Sequence, residues 1–107
     1  MTDFRDRERA EEAKYAMDQD TAFRVAARRN RLLGHWAADK MGLTVEETEA
    51  YAKAVIQADF EEAGDEDVIR KVLGDLVAAG VDIDDAAVRS ALAEKSVEAK
   101  RQLMSES

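Results

Sequence analysis

Gly42-Leu43-Thr44-Val45-Glu46-Glu47 is the stretch on which the fold turns. Glycine closes a helix readily because it enters the left-handed conformation without a side-chain clash. Two positions later, Thr44-Val45-Glu46-Glu47 follows the S/T-x-x-E pattern of a capping box. In that pattern hydroxyl and carboxylate satisfy the exposed N–H groups that open a helix. One helix thus ends where another begins, and so short a connection favours antiparallel neighbours.

Upstream, the pattern predicts a helix from Asp3 towards Met41, with a second start signal at Asp18, Asp20 and Thr21 where a break is expected. Downstream, the helix opened by Thr44 runs to Ala63 and stops at Gly64. Asp65, Glu66 and Asp67 then place negative charge on the positive end of a third helix, from about Glu66 to Ala79, closed by Gly80. Asp82, Asp84 and Asp85 repeat the device for a fourth, reaching roughly Met104. No strand pattern competes.

Apolar spacing supports the same division. Phe23, Ala26, Ala27, Leu33, Trp36, Ala37 and Met41 mark one face, then Tyr51, Ala52, Val55, Ile56 and Phe60, then Val68, Val72, Leu73 and Leu76. The last helix offers Ala87, Val88, Ala91, Leu92, Ala99 and Leu103. The expected fold is all-α: a small four-helix bundle over residues 21–107, preceded by a partly free, conditionally helical segment over residues 1–20.

Composition agrees and narrows function. In 107 residues there is no proline and no cysteine. That excludes disulfides, thiol catalysis, Cys-ligated zinc and iron–sulfur clusters. The net charge of -8 repels phosphate polymers, so nucleic acid is not an expected partner. No apolar run approaches the roughly 20 residues of a membrane-spanning helix, and Met1 to Arg9 is charged, which predicts a soluble, cytoplasmic protein without direct membrane insertion. The charge is uneven: Met1–Gly42 holds 9 basic and 8 acidic residues, Leu43–Ser107 holds 7 and 16.

Arg5-Asp6-Arg7-Glu8-Arg9-Ala10-Glu11-Glu12-Ala13-Lys14 lacks any apolar stripe to dock on a core. Pairs such as Arg5 with Glu8, Arg7 with Glu11 and Glu11 with Lys14 each support a helix by about 0.2–0.5 kcal/mol, against like-charge pairs such as Arg5 with Arg9. The surplus barely offsets nucleation, so a helix forms fully only on a partner. Phe4 and Tyr15 fall within about 20° of the same face, anchors on either side of a charged middle. Local physics alone favours a frayed, solvated terminus.

The run Phe4 to Tyr15, with Ala27-Arg28-Arg29-Asn30-Arg31-Leu32-Leu33-Gly34-His35-Trp36-Ala37-Ala38, resembles the ζ subunit family of alphaproteobacterial F-type ATP synthases. Tyr51-Ala52, Asp59-Phe60 and Gly64-Asp65-Glu66-Asp67-Val68 continue the similarity in order. The resemblance implies a four-helix bundle, not an enzyme, whose N-terminal segment blocks ATP hydrolysis by entering a catalytic α/β interface of F1 near the shaft. It implies F1 α, β and γ subunits as partners, no cofactor, and residence on the cytoplasmic side of the membrane-bound synthase. Phe4 and Tyr15 would then be anchors, and Arg5, Arg7 and Arg9 would meet acidic residues of β. Asp6, Glu8, Glu11, Glu12 and Lys14 complete the candidate partner-binding set.

Arg24, Arg28 and Arg31 fall at i, i+4 and i+7 and form, with Arg29, a basic stripe. It answers the bundle's own acidic half, or else contacts a nucleotide phosphate or F1, although no glycine-rich phosphate loop accompanies it. The carboxylates from Asp59 to Asp67 lack calcium-loop spacing, and helix capping accounts for them better. His35 is the only histidine, so no histidine metal set or Ser-His-Asp triad is available. It is expected at a surface or half-buried position, Trp36 in the core, and Gly34 at a close helix approach or a bend. The alternatives to an F1 inhibitor are therefore a small nucleotide-binding module and a non-inhibitory F1-bound scaffold.

Overall fold

The computed structural model has the element order α1 (Thr2–Met41), α2 (Val45–Glu61), α3 (Glu66–Ala78) and α4 (Asp85–Glu106). The structure describes residues 2–61 and 65–106, with side-chain surroundings for residues 20–59 and 65–106. Among the described residues there is no strand. The 40 residues of α1 make a rod of about 60 Å at 1.5 Å per residue, matching the molecule's longest dimension of 61 Å. α2 and α4 cover most of the packed part of α1, and α3 closes the bundle.

The start signal at Asp18–Thr21 does not interrupt α1. Asp20 instead pairs with Arg24 one turn on, at 3.3 Å, an arrangement that supports a helix from within. The ends of α1 and α3 follow the local chemistry, while the stop expected for α2 at Ala63 and Gly64 lies outside the described residues. Gly42 and Gly80 have φ of 71° and 82°, in the left-handed region. There Gly42 N–H donates to the Asp39 carbonyl and Leu43 N–H to that of Ala38, and Gly80 and Val81 do the same to Val77 and Leu76. Terminal carbonyls that would otherwise lack donors are thus satisfied.

The capping box closes as expected: Thr44 N–H donates to Glu47 Oε1 at 2.9 Å, and Glu47 N–H to Thr44 Oγ1 at 3.2 Å. Asp84 caps α4 by accepting from Ala87 N–H at 2.9 Å. Asp65 departs from the expectation. It stands at the N-cap of α3, yet its carboxylate makes no cap hydrogen bond, because it is drawn across the bundle to Arg29.

The core is a single cluster running through all four helices: Leu33 and Ala37, Val55, Val68, Ile69, Val72 and Leu76, and Val88, Ala91 and Leu92. Trp36, Met41, Tyr51 and Leu73 pack on it half-buried. Phe23 is a correction. Its spacing from Ala26 and Ala27 predicts the core face, but it is 55% exposed, because burial along α1 begins at Val25. Phe60, also expected inside, has a side chain outside the described residues.

Candidate partner-binding surface

The segment singled out for partner binding lies in the N-terminal half of α1, and its backbone is helical. The side chains of Phe4, Arg5, Asp6, Arg7, Glu8, Arg9, Glu11, Glu12, Lys14 and Tyr15 lie outside the described residues. What the structure describes is the root of that helix. Residues 20–24 are exposed, Val25 to Arg28 are half-buried, and Arg29 and Asn30 are buried.

The basic stripe on this root answers the bundle's own acids. Arg28 makes a two-pronged contact with Glu106, the last residue of α4: Nη1 pairs with Oε1, and Nη2 donates to Oε2 at 3.1 Å. The hydrogen bond raises the Arg28 pKa and lowers that of Glu106. Arg31 meets Glu49 of α2 at 3.3 Å. Arg24 stays within α1, on Asp20. A phosphate at any of these three would have to displace a carboxylate.

Arg29 belongs to the stripe by spacing, but its role differs. Its side chain is only 10% exposed, with Nη1 3.0 Å from Asp65 Oδ1 and Nη2 3.6 Å from Asp59 Oδ2. Its Nε donates to Asn30 Oδ1 at 3.1 Å, while Asn30 Nδ2 is buried without a partner among the described residues. One guanidinium therefore gathers the end of α2 and the start of α3 onto α1. The acidic run 59–67 is explained partly by this and partly by Glu66, which takes both terminal nitrogens of Arg89 at 2.7 and 2.8 Å.

Further along the seam, His35 is half-buried, with Nε2 3.3 Å from Glu49 Oε1. On the other side of α2, the Tyr51 hydroxyl donates to Asp75 Oδ2 at 2.8 Å, and Lys71 Nζ reaches the same oxygen at 3.1 Å. Burial, then this bond, pushes the Tyr51 phenol well above its ordinary pKa. The cluster ties α2 to α3, and nothing in the sequence pattern singled it out.

Between α1 and the end of α4 runs a groove of about 640 Å³, its lining including Val25, Ala26, Arg29, Lys100, Leu103 and Met104. Among the described residues no group of three or more metal-ligating side chains is assembled, and no helix is long and apolar enough to cross a membrane.

Two comparisons bear on this arrangement. A solved structure, determined by solution NMR, is 48% identical in sequence and superposes with a TM-score of 0.70, covering 79% of this chain and 96% of its own. No curated protein matches. The family described as ATPase inhibitor subunit zeta matches residues 1–102, which spans α1, α2 and α3 and most of α4. This chain belongs to the ATPase inhibitor subunit zeta family.

Proposed function

We propose that this protein inhibits ATP hydrolysis by the F1 sector of an ATP synthase, acting from the cytoplasmic side by inserting the N-terminal half of α1 into a catalytic α/β interface. The family supports an association with ATP synthase and a regulatory rather than catalytic role. The observation that carries the finer reading is the asymmetry of α1: one 40-residue helix, packed into the bundle from Leu33 to Ala38 yet exposed at residues 20–24. A bundle anchors one end of a rod and presents the other.

Phe4 and Tyr15 act as apolar anchors on the α and β walls of the interface. Arg5, Arg7, Arg9 and Lys14 meet acidic residues, and Asp6, Glu8, Glu11 and Glu12 meet basic ones, with the tip directed at the γ shaft. Charge-assisted pairs in a desolvated cleft discriminate strongly between partners. No cofactor is required, because the inhibition is steric.

The test is ATP hydrolysis by F1 depleted of this subunit, titrated with the natural chain and with a Phe4→Ala/Tyr15→Ala variant. Inhibition by the first, weakened at least tenfold in the second with an unchanged thermal midpoint, supports insertion. Binding of both without inhibition by either favours the scaffold reading. Saturable amide shifts at Arg28 on adding ATP, without any effect on F1, favour the nucleotide module.

A further inference from the structure

Three features mark the end of the bundle from which the N-terminal half of α1 departs. The side chains of residues 20–24 are exposed, and those of Val25 to Arg28 are half-buried. A groove of about 640 Å³ lies between this stretch of α1 and the end of α4, lined from the α4 side by Lys100, Leu103 and Met104. Across the gap, 78 residues apart in sequence, Arg28 and Glu106 join through a two-pronged ion pair.

The placement of Glu106 is not explained by α4 itself. An acid in the last turn of a helix opposes the negative end of the helix dipole, and the last turn of α4 holds no basic residue to offset it. The compensating charge comes from α1 instead. Planar, two-pronged pairing restricts orientation as well as distance, which a single-point contact does not.

We propose that Arg28 and Glu106 are positioning residues for inhibition: the last turn of α4 clamps the root of α1 and sets the direction in which its N-terminal half leaves the bundle. This rests on the inhibitory reading above and adds to it residues that do not touch the F1 interface. The clamp limits fraying of α1 to the residues before Val25. It also makes the exposed end of α4 at Glu106 part of the functional unit. Arg28 and Glu106 remain 30% and 57% exposed, so the effect is modest and salt-sensitive.

The experiment compares the natural chain, Glu106→Gln, and the swapped pair Arg28→Glu with Glu106→Arg. Two readouts are taken: amide hydrogen exchange in the free protein, and the concentration that half-inhibits F1 hydrolysis. Glu106→Gln is expected to speed exchange at residues 20–27 by about threefold while leaving Leu33–Ala38 unchanged, the size expected of a partly exposed pair. It is expected to raise the half-inhibiting concentration by a similar factor.

Restoration of both by the swap supports the clamp, because a merely structural lesion would not be rescued by reversing two charges. Unchanged exchange at residues 20–27 in Glu106→Gln, or a folded swap that restores neither readout, overturns it. If the natural chain itself fails to inhibit F1, the inhibitory reading falls, while the exchange data still decide separately whether the clamp orders α1.

Discussion

Gly34 of α1 lies so close to Ala52 of α2 that a Cβ built on it would stand 2.8 Å from the Ala52 Cα and 3.3 Å from its Cβ. The nearest obstacle is backbone, which no rotamer change relieves. This contact lets the two helices approach where His35 and Arg31 meet Glu49 and where Leu33 and Val55 enter the core. Gly34→Ala gains about 1 kcal/mol of helix propensity but forces the helices apart, and because the obstacle is backbone the cost lies at the upper end of the overpacking range, about 2–3 kcal/mol. A net loss of about 1–2 kcal/mol is expected in urea unfolding, and Gly34→Val should lose more. Equal or greater stability in Gly34→Ala would show that the seam relaxes freely.

Gly74, in the middle of α3, faces solvent, and a Cβ added to it would meet nothing within 4 Å. With no contact to disturb, Gly74→Ala is expected to stabilise the bundle by about 0.5–1 kcal/mol through the lower backbone entropy of the unfolded chain. The thermal midpoint should rise by several degrees, and a fall would reveal a contact at that face.

Arg29 and Arg31 both pair with carboxylates, but their surroundings differ. Arg29 is 10% exposed between Asp59 and Asp65, whereas Arg31 and Glu49 are 58% and 45% exposed. Breaking the first strands Asp59 in a half-dry site, while breaking the second returns two hydrated groups to water. Arg29→Ala is expected to cost about 2–3 kcal/mol and Arg31→Ala less than about 1. Comparable losses in the two variants would contradict this ranking.

Among the described residues, three carboxylates are held below their ordinary pKa: Glu47 by the Thr44 N–H and then its hydroxyl, Glu66 by Arg89, and Glu106 by Arg28. A depressed folded-state pKa contributes stability that is present above the unfolded value of about 4.3 and is lost as pH falls through the folded value. The urea midpoint should therefore hold steady for these groups from about pH 7 to 5 and decline below about pH 4.5. A variant with all three changed to Gln should start lower at neutral pH and decline less in acid. Parallel curves for the two proteins would assign the acid loss elsewhere.

What the sequence determined by itself was a set of helix ends whose hydrogen-bond partners lie close by along the chain. The end of α1 at Gly42, the reciprocal Thr44–Glu47 cap, the end of α3 at Gly80 and the start of α4 after Asp84 all follow from backbone groups seeking donors and acceptors one turn away. Apolar periodicity likewise marked Leu33, Ala37, Val55, Val72 and Val88 as core. What the tertiary structure alone decided was how charges were paired across helices and where burial stops along α1. Asp65 has the position of a cap yet partners Arg29, because a guanidinium sealed among three helices attracts a carboxylate more strongly than a solvated helix end does. Phe23 has core spacing, yet spacing fixes only the angle around a helix axis, not how far along that axis the neighbouring helices extend. The joining of Arg28 to Glu106 depends on where α4 ends beside α1, and no local rule carries that information.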